Sequence, residues 1–181
     1  MTYSYCKYCR NLKLDNIHRI HHDTIYGLAF SDDNELFGRL ILEINQAGLS
    51  WDTILKKESN FRIGYSNFNI QMIANYTEKD RERLIQDSGI IRNKLKINAA
   101  IVNAQRILEM QKEYGSFFQW IKIQKAADLA TWVKLFRKEF KFVGGEIVNE
   151  FLMSIGRIEG SHSPDCFRYK DFLKHRKLWL D

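Results

Sequence analysis

Apolar residues in this 181-residue chain recur at spacings of three and four and almost never alternate. That period restricts the chain to packed helices. In "SDDNELFGRLILEI", Leu36, Phe37, Leu40, Ile41 and Ile44 share one face behind Asp32 or Asp33 as an N-cap. The spacing predicts a helix over about 33–46, stopped near Gly48. A second helix, about 50–63, turns Ile54, Leu55 and Phe61 inward. Thr77 with Asp80 three residues on resembles a capping box and opens a helix that ends near Gly89. Downstream, Ile97, Ile101, Ala104 and Leu108 form one face of a helix closed by Gly115. Leu129, Val133 and Phe136, then Ile147, Phe151 and Ile155, repeat the pattern. Residues 1–30 show no such period and read as an irregular N-terminal arm. The expected fold class is all-α with short loops, in one compact unit over 1–181.

Composition narrows the function classes. One proline and no low-complexity tract exclude long linkers. No apolar run approaches the length of a membrane span, and "MTYSYCKYCRN" lacks the apolar stretch of a secretory signal. Three cysteines do not build a disulfide scaffold, so a reduced, cytoplasmic chain is expected. A net charge of +6 suits a polyanionic partner.

One carboxylate stands out. On the first helix Glu43 falls about 20° from Leu36 on the helical wheel, at the border of the apolar stripe. A carboxylate there is costly unless it is paired, hydrated or used. It lies just ahead of Gly48, Leu49, Ser50 and Trp51.

Two further clusters carry chemistry. Cys6 and Cys9, with His18, His21 and His22, lie near one end of the chain, and His162 and Cys166 near the other. Zinc takes sulfur and imidazole ligands in tetrahedral sites. Cys6 or Cys9 with His22, His162 and Cys166 is therefore a candidate set, against the plain reading of inert thiols and surface histidines. A Cys–His nucleophilic pair lacks an orienting third group and an oxyanion hole. In "LIQDSGIIRNKLKI" two helices meet at a tight Asp-Ser-Gly turn followed by Arg92, Lys94 and Lys96. Backbone N–H groups and basic side chains at such a turn can hold phosphate. An ordinary helical hairpin with a solvated basic face is the alternative.

Five blocks, "HHDTIYG", "EINQAGLSWDTILKK", "DSGIIRNKLKI", "FKFVG" and "HSPDC", give the chain from Cys6 to Cys166 a specific resemblance. It resembles the DNA-3-methyladenine glycosylase I family of helix-hairpin-helix DNA glycosylases. The resemblance implies a helix-hairpin-helix element over about 78–108, and a structural Zn2+ whose segments, about 6–22 and 162–166, staple the termini. It places the zinc ligands on His22, His162 and Cys166. The family's Cys-x-aromatic pattern selects Cys6 as the fourth, while its usual distance to the histidine selects Cys9; the reading here is Cys6, with Cys9 as the alternative. It puts base recognition and catalysis on Glu43, base stacking on Trp51, and the remaining pocket aromatics on Tyr26 and His21. Gly48 and Leu49 match residues that enter the lesion gap, and Arg92, Lys94 and Lys96 match the phosphate-facing hairpin.

The implied activity is monofunctional hydrolysis of the N-glycosidic bond of 3-methyladenine in alkylated duplex DNA. The implied protein acts as a monomer, without an obligate protein partner or a membrane. The chain departs from the family pattern in its pocket. His21 replaces the usual tyrosine, Tyr26 replaces a tryptophan, Asp15-Asn16 stands where Asp-Pro is usual, and "GEIVNE" departs after the intact "FKFVG". A catalytically weak damage-sensing DNA binder of the same fold is the competing expectation. A zinc-stabilised helical protein with another role is a third.

Overall fold

The computed structural model describes residues 5–180. Its helices, in chain order, are α1 (Tyr5–Arg10), α2 (Ile17–Thr24), α3 (Asp33–Gln46), α4 (Trp51–Gly64), α5 (Ile70–Ala74), α6 (Glu78–Gln86), α7 (Lys94–Tyr114), α8 (Phe117–Ile123), α9 (Leu129–Glu139), α10 (Gly145–Ser154) and α11 (Tyr169–Arg176). Among the described residues there is no strand, and the fold is all-α. The chain divides into two compact units. One comprises residues 32–149; the other combines the residues up to Ser31 with those from Glu150 onward.

The 32–149 unit is built on α3. Asp32 begins it by accepting the Glu35 N–H at 2.9 Å. Leu36, Phe37, Leu40, Ile41 and Ile44 are all within 1% of full burial. Leu42, Glu43 and Asn45 are buried as well, so the helix is covered almost all round rather than along one stripe. It packs against α4, α5, α7 and α8. Asp33 adds a long-range anchor: its carboxylate accepts the Phe117 and Phe118 N–H groups at 2.8 and 2.9 Å, and Gln111 Nε2 at 2.7 Å. These bonds hold the start of α8.

Local capping sets the other boundaries. Ser50 Oγ accepts the Thr53 N–H and starts α4. Asp80 accepts the Thr77 N–H at 2.9 Å at the start of α6, which stops at Gln86, short of Gly89. Asn93 accepts from Leu95 and Lys96 to open α7, and Gly115, at φ +87°, closes it. On α7, Ile97, Ile101 and Ala104 are buried as expected. Leu108 is only half-buried, while Ile107 and Met110 are fully covered. The helix is packed from more than one side, by α5, α6 and α8, so its apolar face is wider than a single stripe. On α9, Leu129 is 40% exposed in the first turn, and Trp132 takes the inward place ahead of Phe136. On α10 Val148 is buried and Ile147 is half-buried. Phe117, Trp120, Phe136 and Phe140 close this core edge to face, with centroids 5.5 to 5.6 Å apart.

In the other unit, the segment expected to be irregular carries two short helices, α1 and α2. Asn16 caps α2 through the His18 N–H. The basic C-terminal stretch forms α11 and a following 3-10 turn, anchored by buried Phe172 and Trp179, whose Nε1 donates to the Ile155 carbonyl at 2.9 Å. Gly27, at φ +74°, donates its N–H to the Ser154 carbonyl; a Cβ there would lie 2.5 Å from Ser161 Oγ.

Gly38 marks the tightest approach in the α3 core. A Cβ there would stand 2.3 Å from Phe68 Cδ2. Phe68 is fully buried and held at φ +59°, so it has little room to give. Gly38→Ala is expected to lower unfolding free energy by about 1–3 kcal/mol through overpacking, read as a reduced urea midpoint. An unchanged midpoint would mean that Phe68 relaxes freely.

Candidate functional site

The two ends of the chain meet in one cluster. Ligand atoms of Cys6, His22, His162 and Cys166, all buried, lie within 4.8 Å of one another. Cys6 Sγ is 3.7 Å from His162 Nδ1, and Cys166 Sγ is 3.6 Å from the same nitrogen and 3.7 Å from His22 Nε2. Four donors at such spacing make a candidate metal site. The outer shell suits it. His22 Nδ1 donates to Asp23 Oδ1 at 2.6 Å, and His162 Nε2 donates to the Tyr26 carbonyl at 2.8 Å. Those bonds place the protons on the outer nitrogens and leave the lone pairs of His22 Nε2 and His162 Nδ1 facing the thiols. Asp23 is itself fixed by Arg19 Nε at 2.6 Å.

Burial pushes the Cys6 thiol up, but its pairing with His162 and His22, whose facing nitrogens can take up its proton, and the Ser163 N–H outweigh it and hold the thiol well below its usual range. The Ser163 N–H donates to Cys6 Sγ at 3.5 Å. Cys9 lies outside the cluster. Its thiol donates to the His18 carbonyl, and burial pushes its pKa up to about 11. The distinction between Cys6 and Cys9 is thus one of direction: on α1 the two thiols turn to different neighbours. Asp23, which directly follows His22, was legible as a possible outer partner; the Tyr26 carbonyl had no sequence signal.

His21 and Tyr26 are buried, at 5% and 8% exposure. Their rings lie 5.7 Å apart, and both pack edge-on to Tyr5, which also approaches His18 Nδ1 at 3.2 Å. Tyr26 Oη donates to Glu150 at 3.4 Å. Tyr5, Tyr8 and His18 complete an aromatic group that periodicity did not single out.

In the 32–149 unit, Glu43 is 5% exposed near the end of α3. Arg39, one turn earlier, is its electrostatic neighbour. Burial lowers the Arg39 pKa to about 10 against the upward pull of Glu58, Glu43 and Glu35. Glu35 is engaged by Arg62 through two 2.7 Å bonds. The α3–α4 turn follows. Gly48 stands at φ +83° with open space where a Cβ would be. Leu49 is 39% exposed. Trp51, half-buried, is the first residue of α4.

The hairpin turn between α6 and α7 is tied from both sides. Asp87 accepts the Gly89 N–H at 2.7 Å, and Lys57 donates to the Ser88 carbonyl at 2.9 Å. Arg92 and Lys94 are exposed beside it. Lys96 is a correction: it is 5% exposed, and its ammonium donates to the Asn45 and Ala47 carbonyls at 2.9 and 2.7 Å. It caps the end of α3 and is not available to a phosphate. Two positions beyond Lys94, it lies on the opposite side of α7, which faces the core.

The chain is similar to known proteins over most of its length. A family model described as methyladenine glycosylase matches residues 11–131. The Escherichia coli K12 protein DNA-3-methyladenine glycosylase 1 is 34% identical, over 89% of this chain and 96% of its own. A crystal structure of 3-methyladenine DNA glycosylase I superposes with a TM-score of 0.78 at 33% identity, covering 88% of this chain and 97% of that one. Another, of a tyrosine-to-phenylalanine variant of such an enzyme in complex with 3-methyladenine, gives 0.77 at 28% identity, covering 86% and 93%. With the helical fold and the buried Cys-His-His-Cys cluster in place, the chain belongs to the methyladenine glycosylase family.

Proposed function

We propose that this protein is a monofunctional DNA-3-methyladenine glycosylase that removes the methylated base from alkylated duplex DNA in the cytoplasm. The observation that carries the reading is the buried Glu43 carboxylate one turn ahead of an open Gly48–Leu49 turn, in a chain of this family. At that depth, beside Arg39, a carboxylate acts on a ligand through a low dielectric, and a cationic purine is a ligand that such a group attracts.

The roles follow from chemistry. The target base leaves the stack at the expense of unstacking energy. Leu49 fills the gap, and Gly48 lets the backbone approach the duplex. The half-buried Trp51 ring is the main stacking surface, and the ring face favours a positively charged base over a neutral one. Glu43 accepts an adenine N–H and attracts the cation. N3 alkylation has already weakened the glycosidic bond, so the bonding pair leaves with the base and neutralises it. Water adds to C1′ and gives up a proton. The helix-hairpin-helix element of about 78–108, with Arg92 and Lys94 at its turn, tracks the phosphate backbone.

The cluster fits zinc. Tetrahedral Zn–S and Zn–N bonds put a sulfur and a nitrogen donor about 3.6 Å apart, close to the three thiol–imidazole separations of 3.6 to 3.7 Å here, with all four donors within 4.8 Å of one another. Bound there, the ion would supply a structural cross-link between the segments of about 6–22 and 162–166.

Three outcomes are expected. Glu43→Gln should slow single-turnover release of 3-methyladenine on the order of a hundredfold while leaving thermal unfolding of the protein in place; undiminished release removes Glu43 from the mechanism. Wild-type protein that binds methylated duplex without releasing base would instead be a damage-sensing binder. Metal analysis should find one zinc per chain, retained by Cys9→Ser and lost, with a lower melting temperature, by Cys166→Ser; the same zinc content in both variants overturns the ligand set. Duplex affinity should fall with salt, and Arg92→Ala or Lys94→Ala should each reduce the logarithmic slope by about 1. Unaltered slopes would take the hairpin off the backbone.

A further inference from the structure

Lys96 spends a cation inside the protein on the end of one helix. The last carbonyls of a helix have no partner within it, and a cation at that end is favoured by the helix dipole. On α3 those carbonyls belong to Asn45 and Ala47, and the donor arrives from α7, 51 residues along the chain. Water could satisfy carbonyls beside an exposed turn without burying an ammonium. The same turn is fastened from within: Leu49 N–H donates to the Gln46 carbonyl at 2.7 Å, and Gln46 Nε2 donates to the Leu49 carbonyl at 3.1 Å.

A third segment closes over the ammonium. The Phe142 ring lies 5.7 Å from Lys96 Nζ, within cation–π range. Phe142 stands at φ +58°, a left-handed conformation that a bulky residue adopts only under constraint. The constraint is visible. Asn103 grips the preceding residue by both backbone groups, accepting the Lys141 N–H at 2.7 Å and donating to its carbonyl at 3.1 Å. Strained backbone, buried cation and open turn converge on one spot.

We infer that Lys96 is a positioning residue whose ammonium, held between the Asn45 and Ala47 carbonyls and beneath Phe142, locks the Ala47–Leu49 turn in the shape that delivers Leu49 to the duplex. The inference rests on the glycosylase reading and adds a part to it. Lys96 touches neither base nor phosphate. It acts through the turn, so its loss separates duplex chemistry from recognition of the isolated base.

The test is Lys96→Met in the full chain, which keeps the stem and removes the charge. Single-turnover excision from methylated duplex and affinity for an abasic duplex are measured beside binding of free 3-methyladenine, followed by tryptophan fluorescence. The expected result is a loss of at least about tenfold in excision and in abasic-duplex affinity, with free-base affinity unchanged. Excision at the wild-type rate overturns the inference, as does a parallel loss of free-base binding, which would mark a general structural role. Should Lys96→Met not fold, Phe142→Ala on its exposed loop carries the same comparison: a smaller loss confined to duplex supports the inference, and unchanged excision overturns it. Wild-type protein without any excision overturns the glycosylase reading itself, whereas active wild type with an unaffected Lys96→Met overturns only the role of Lys96.

Discussion

A carboxylate buried on the most enclosed helix of the protein has to be compensated, and much of the 32–149 unit is arranged to do so. Glu43 lies on α3 among residues that exclude water. Unpaired, it would cost several kcal/mol or become protonated. Arg39, one turn earlier, supplies positive potential and is itself held by Glu35 and Glu58. Arg62 then engages Glu35 and approaches Glu58 at 3.5 Å. The charges form a chain that runs from buried Glu43 out to half-buried Arg62, so no single ion is stranded. In such a place a cationic ligand would feel the carboxylate strongly, because the surrounding dielectric is low.

The smaller unit solves a different problem. It is made of two separate stretches, the residues up to Ser31 and those from Glu150 onward, and small assemblies of this kind commonly need a cross-link. Here the donors come from α1, α2 and the 162–166 segment. Asp23 and the Tyr26 carbonyl fix the imidazoles. The aromatic group around Tyr5 packs onto the same rings, so the orientation of Tyr26 and the coordination cluster are set by one set of contacts.

What could be read from the chain beforehand was what local physics decides. The bounds of α3 and α4 follow from capping side chains and a helical period, and both were legible to within a residue. Cys6, His22, His162 and Cys166 were legible as a candidate set because sulfur and imidazole donors are scarce and clustered; the Cys-x-aromatic pattern already pointed to Cys6 over Cys9, and the direction of each thiol on α1 gives the physical reason why Cys6 joins the cluster. Lys96 was misread because its charge pattern, alternating with Arg92 and Lys94, looks like a basic face; only the long-range approach of α3 shows it turned inward. The helices within residues 1–30 were missed because their apolar period is interrupted by histidines and tyrosines that pack against each other rather than against a conventional core. Leu129 was misassigned for the opposite reason: its spacing is right, but nothing covers the first turn of α9.

The discontinuous unit has a consequence for how the molecule is made. Its first part is synthesised before the whole of the α3-centred core and its second part after it. Domains fold as they leave the ribosome, N-terminal portions first, yet residues up to Ser31 must wait for the stretch beyond Glu150 before their thiols and imidazoles find their partners. A metal held by all four donors would therefore be captured only after Cys166 has been made. Chains that stop short of the 162–166 segment would carry half of that donor set, Cys6 and His22.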